Sequence, residues 1–244
     1  MKLAAVIIAF MLAACSSVQD HERVQVVPKA EMDAFLADKP LATQRLYARV
    51  LLEGKRNEAL NYMRAGLASF ELGDNGNAAR SFDIVLDTIE AIYADNPKAA
   101  EARSLWTKEN IKDFKGEPYE RAMAYYYRGL LYMREGDYEN ARASFKGGLV
   151  QSTFSYEERF DPDFAMLDYL YGWASRCAGD ESVAGDSFAA AQKRRPALTT
   201  PPRQNTVLIL AELGNPPQKI AAGREHELLA FRPGPPSPEV GIAV

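Results

Sequence analysis

Three glycines, Gly73, Gly136 and Gly179, each end an apolar helical run and each precede an acidic residue, and reading outward from them exposes a pattern that few folds satisfy. Seven residues upstream stand Gly66, Gly129 and Gly172, and eleven upstream stand Tyr62, Tyr125 and Asp168. Five residues downstream stand Ala78, Ala141 and Ala184, and nine downstream stand Phe82, Phe145 and Phe188. Small residues at such spacing let two antiparallel helices approach closely, and the phenylalanine fills the gap between hairpins. The glycine at the turn takes the left-handed conformation that ends the first helix. The acidic residue that follows, Asp74, Asp137 or Asp180, caps the second.

The middle copy, YYYRGLLYMREGDYENARASF, carries Gly129, Tyr132, Gly136, Tyr138, Ala141 and Phe145 in one phase. In that phase it resembles the tetratricopeptide repeat. The third copy adds Ala191 and Pro196, where that family closes its second helix, and the first departs most, with Ser69 and Asn75 at aromatic positions. The resemblance implies an all-α chain: a short right-handed solenoid of helical hairpins near 59–92, 122–155 and 165–198, inside a helical domain spanning 41–200. A plain bundle of amphipathic helices is the rival architecture. Gly66 to Gly129 is 63 residues and Gly129 to Gly172 is 43, against a family period of about 34. The first interval therefore carries an insertion, and DNPKAAEARSLWTKEN predicts an extra helix over 95–113, with Pro97 at its first position. Asp161-Pro162 reads as a further helix start.

The N-terminus sets the compartment. Met1-Lys2 is followed by an uncharged run from Leu3 to Leu12, then Ala13, Ala14 and Cys15. This is a basic start, an apolar centre and a small-residue cleavage region, and the run is too short to cross a bilayer, which takes about 20 apolar residues. Leu12-Ala13-Ala14-Cys15 resembles the lipobox of bacterial lipoproteins. That resemblance implies a signal peptide over 1–14, lipidation of Cys15 and, from Ser16 rather than an aspartate, sorting to the outer membrane on its periplasmic side. Palmitate and companion acyl chains would hold the protein, at about 0.8 kcal/mol per buried methylene. An ordinary signal peptide with an incidental cysteine is the alternative. Residues 15–40, polar and mostly without helical period, read as a tether. The stretch KGEPYERAMAYYYRGLLYMREGD is also similar to Gram-negative envelope lipoproteins with degenerate repeats, a likeness that carries no activity with it.

The formal charge of −4 becomes −5 once Lys2 leaves with the signal, and no basic cluster of the kind nucleic acid requires is evident. With Cys15 lipidated, Cys177 has no intramolecular partner, and its apolar helical setting predicts burial. His21 and His226 have no metal-ligand partners at familiar spacing, and the chain has no Gly-rich phosphate loop and no nucleophile elbow. The expectation is a protein without a cofactor, a metal or an evident small-molecule substrate. A hydrolase or lyase of cell-wall polymer working through a lone carboxylate is the alternative from a different class.

Beyond Pro196 the texture changes. Thr206–Leu213, aliphatic and bounded by turn signals, predicts a strand, and His226–Phe231 predicts its partner, ahead of a proline-rich tail. Residues 201–244 thus read as a small strand-containing appendage.

The resemblance also designates a concave face, lined by the first helix of each repeat. It maps to Leu60, Met63, Leu67 and Phe70, then Met123, Tyr126, Leu130 and Met133, then Met166, Tyr169 and Trp173. Such an apolar, Met-rich surface demands a cover. Either the extra helix or the appendage lies in it as core, or a partner protein of the envelope docks there, and methionine and aromatic side chains suit an adaptable contact. On the second reading the chain is a protein-binding scaffold or adaptor, tied to the membrane by its N-terminal lipid.

Overall fold

The structure is a computed structural model that describes residues 25–93, 116–152, 164–204, 207–212, 218–222 and 228–232. The chain divides between Thr200 and Pro201 into two compact units. Among the described residues of the first unit there are eight α-helices: α1 (Lys29–Leu36), α2 (Leu41–Glu53), α3 (Glu58–Glu71), α4 (Asn75–Tyr93), α5 (Pro118–Glu135), α6 (Tyr138–Ser152), α7 (Ala165–Cys177) and α8 (Glu181–Arg194). Helices α3 and α4, α5 and α6, and α7 and α8 pack as hairpins. Each hairpin also touches the next, through α4 on α5 and α6 on α7.

The three hairpin tips are built alike. Gly73, Gly136 and Gly179 have φ of 76°, 75° and 89°. The amides after them, of Asp74, Asp137 and Asp180, donate back to the carbonyls of Ser69, Tyr132 and Ser175 at 2.8, 2.9 and 2.8 Å. This six-to-one bond, together with the bond from each glycine amide to Phe70, Met133 or Arg176, is the Schellman closure. The same three aspartates then accept from the amides of Asn77, Asn140 and Val183 at 3.2, 3.2 and 3.1 Å, capping α4, α6 and α8.

Along the hairpins the predicted columns meet. Ala78, Ala141, Ala184, Phe82, Phe145 and Phe188 are all buried. A Cβ placed on Gly129 would collide with the Phe145 ring, one on Gly172 would lie 3.0 Å from Phe188, and one on Gly66 would lie 3.4 Å from Phe82. The contact of glycine with phenylalanine is therefore made inside each hairpin. The phenylalanine also serves the neighbouring hairpin in the first copy, where Phe82 stacks on Tyr127 at 5.7 Å between centroids.

Departures from the repeat have local reasons. Ser69 is small where an aromatic was expected because Tyr47 arrives from α2, its hydroxyl 3.1 Å from Ser69 Oγ and 2.9 Å from Ser81 Oγ. Asp168, in a tyrosine column, is buried beside the end of α8, with Arg194 Nε 3.3 Å from its carboxylate. The second helix of the middle copy carries Gly147 and Gly148, which make room for Tyr125 from α5 and Leu167 from α7.

Several expectations need correction. The span 15–40 is not wholly a tether: α1 forms after Pro28. No residue of α1 is buried, so the helix depends on contacts with its neighbour. Phe35 meets Tyr47 edge to face at 6.4 Å, and the Gln44 amide donates to the Leu36 and Lys39 carbonyls. Cys177 is exposed rather than buried. It is the last residue of α7, where the chain turns off through Ala178 and Gly179. Partial desolvation pushes its thiol pKa up, against the opposing pull of Arg176. The extra helix expected over 95–113 and the helix start at Asp161-Pro162 lie outside the described residues.

In the second unit, β1 (Gln218–Ala222) and β2 (Leu228–Arg232) pair antiparallel, with Gln218 opposite Arg232 and Ala222 opposite Leu228. The strand expected over Thr206–Leu213 is not formed: residues 207–212 have no regular secondary structure, and Val207 and Ile209 are exposed. The strand at 228–232 pairs instead with a segment only five residues before it, and a short connection costs less closure entropy than a long one.

Candidate functional site

The eleven positions assigned to a concave face lie on the first helix of each hairpin, α3, α5 and α7. Their burial is graded. Tyr126 and Leu130, at the centre of the middle hairpin, are buried, whereas Leu60, Met63, Leu67, Phe70, Met123, Met133, Met166, Tyr169 and Trp173 are half-buried. A helix face with this grading is neither sealed core nor free surface.

Aromatic rings join three of these helical segments. Phe70 of α3 meets Tyr127 of α5 edge to face at 5.3 Å, Tyr127 meets Tyr126 at 5.1 Å, and Tyr126 meets Phe164, just before α7, at 5.5 Å. Arg134 lays its guanidinium 3.9 Å from the centre of the Phe70 ring, while its Nη1 donates to Asn75 Oδ1 at 3.0 Å. Tyr169 packs edge to face on Phe188 at 5.1 Å, and desolvation raises its pKa. Tyr126 belongs to the predicted set, but Tyr127, Phe164 and Arg134 do not. Tyr127 was legible only as one of three consecutive tyrosines on a helix, which necessarily face different directions.

The first of those tyrosines, Tyr125, points elsewhere. It packs against Gly147 and Gly148, and its hydroxyl donates to Glu90 Oε1 at 3.2 Å. Burial first, and then the carboxylate of Glu90, push its pKa up to about 12. Nearby, Arg121 is buried and donates from Nε to Gln151 at 2.8 Å and from Nη1 to the Gly116 carbonyl at 2.7 Å. Arg128 bridges hairpins, with Nε 2.6 Å from Asp83 and its guanidinium 3.6 Å from the centre of the Tyr132 ring. These polar groups tie helices to one another.

Among the described residues no group of three or more His, Cys, Asp or Glu is placed to hold a metal ion, and no helix is long and apolar enough to cross a membrane. Cys15, His21 and His226 lie outside the described residues. Comparison of the chain with protein-family models, curated proteins and solved structures finds no match.

Proposed function

We propose that this chain is a lipoprotein of the bacterial outer membrane, anchored through Cys15 and facing the periplasm, and that it works as an adaptor for another envelope protein. In this reading the helical hairpins form a short right-handed solenoid of the tetratricopeptide type, and residues 201–244 are a strand-containing appendage to it. The observation that carries the adaptor reading is the largely half-buried apolar face running over α3, α5 and α7, joined by the Phe70–Tyr127–Tyr126–Phe164 ring contacts. Aromatic and methionine side chains along such a face suit an adaptable contact for a partner's helix or extended segment. The proposed contact surface is made of the half-buried Met63, Leu67, Phe70, Met123, Met133, Met166, Tyr169 and Trp173 together with Tyr126 and Leu130, which are buried at its centre, and no cofactor takes part.

The test has two arms. Cys15→Ser should move the protein out of the membrane fraction; unchanged fractionation would remove the anchor. Tyr169→Ala with Trp173→Ala should abolish co-purification of a partner while leaving helicity intact. Anchoring residues at interface centres each carry about 2 kcal/mol or more, roughly thirtyfold in affinity. A partner set unchanged by both alanines would place the binding site elsewhere.

A further inference from the structure

The end of the helical unit where the chain leaves Cys15 has its own chemistry. Gln25 donates its backbone amide to the Leu52 carbonyl at 2.7 Å, and its side-chain amide fills the space over Gly54, where a Cβ would collide with it. The incoming chain is thereby fastened beside the turn Lys55–Asn57 that links α2 to α3. The next residue, Val26, is 99% exposed. Lys55 is 90% exposed at its side chain, 3.5 Å from Glu58, and Arg56 beside it is exposed.

Residues 25–64 carry seven basic side chains against five acidic ones, a net of +2 in a chain of net −4. Gln25 is ten Cα-to-Cα steps from Cys15, so a fully extended connection reaches about 36 Å at most. An anchored chain holds this end within that distance of the headgroups.

We propose that this end of the molecule, centred on Val26, Lys55 and Arg56, rests on the anionic surface of the membrane that holds Cys15. Val26 enters the interface and the two cations meet lipid phosphates. The inference rests on the lipid anchor proposed above. Attraction of a cation to an anionic surface is worth about 1 kcal/mol per Lys or Arg and fades over roughly 10 Å, a Debye length. The effect therefore requires contact of this end with the surface and not mere tethering. Docking there also fixes which way the helical hairpins face.

The test uses the full lipidated chain in vesicles. Val26→Cys in a Cys177→Ser background carries an environment-sensitive dye, and Asp186→Cys, exposed on α8, carries the same dye as a reference. In phosphatidylglycerol-containing vesicles the dye at 26 should shift to the blue and be quenched by lipid-borne quenchers, whereas the dye at 186 should do neither. Lys55→Ala with Arg56→Ala should lower the docking equilibrium about thirtyfold, and pure phosphatidylcholine should lower it by a similar factor. If the protein floats with the vesicles and the dye at 26 stays in water, the anchor stands and this contact is wrong. If the chain does not float at all, the anchor fails and the contact with it.

Discussion

Replacing Gly129 with alanine should destabilise the protein, although the same change elsewhere in a helix stabilises it. Alanine in a helix interior is worth about 1 kcal/mol over glycine. At Gly129 the new Cβ would come within 2.7 Å of Phe145 Cδ1 and 2.8 Å of Cζ, and closer still to Cε1. Carbon atoms prefer about 3.5–4.0 Å, so the ring must retreat by roughly 1 Å. It has nowhere to go, because Phe145 is fully buried between α5 and its own helix. Overpacking of this kind costs about 1–3 kcal/mol. Taking the upper half of that range against the propensity gain leaves a net loss of about 1–2 kcal/mol. For a chain of this size each kcal/mol lowers Tm by about 2–4 °C, giving a fall of about 2–8 °C. Gly185→Ala is the control: it sits in the middle of α8 with nothing within 4 Å of its would-be Cβ, so Tm should rise by about 2–4 °C. Thermal unfolding followed by far-ultraviolet circular dichroism reads both. A Gly129→Ala protein as stable as Gly185→Ala would refute the close approach of α5 and α6, and trimming the ring with Phe145→Leu should recover part of the loss.

Gly136→Ala meets no atom within 4 Å, yet its φ of 75° is left-handed, so urea unfolding should show a loss of about 1–2 kcal/mol that is conformational rather than steric. Asp180→Ala removes the acceptor for the Val183 amide and should cost about 1 kcal/mol in the same assay, with Asp180→Asn nearly silent. The Tyr125 phenol should titrate near pH 12, and Glu90→Gln should bring its absorbance transition back toward the ordinary tyrosine value. Because the folded pKa is the higher one, the unfolded chain loses its proton first, so this group's contribution to stability falls as pH climbs from the ordinary tyrosine value to about 12; a titration unmoved by Glu90→Gln would remove the hydrogen bond from the account.

Local chemistry made the hairpin tips readable. A glycine that must adopt positive φ, followed by an aspartate that must cap, leaves a mark at fixed spacing, and Gly73-Asp74, Gly136-Asp137 and Gly179-Asp180 carry it three times. The interior columns were readable because Ala141 and Phe145 are chosen by space rather than by solvent. What escaped depends on partners distant in sequence. Helix α1 buries nothing of its own and exists through Phe35 on Tyr47 and the Gln44 amide, neither of which its eight residues announce. Gly147-Gly148 reads as a weak point in a helix until Tyr125 and Leu167 are brought against it. The strand at 228–232 offered two upstream segments for pairing, and the more aliphatic one was not chosen: proximity along the chain outweighed composition. Of the proposed contact surface, the residue types were legible but their grading was not, since whether Tyr126 is sealed and Trp173 is half open depends on Phe164 and on the spacing of hairpins.

The adaptor reading is tested most directly by a photo-activatable amino acid placed at Trp173 in intact cells, with the same amino acid at Asp186 on α8 as the reference position. The account predicts a discrete adduct between this chain and another envelope protein at 173 and none at 186. Adducts formed equally at both positions, or a crosslink at 173 that stays within the chain itself, would contradict it.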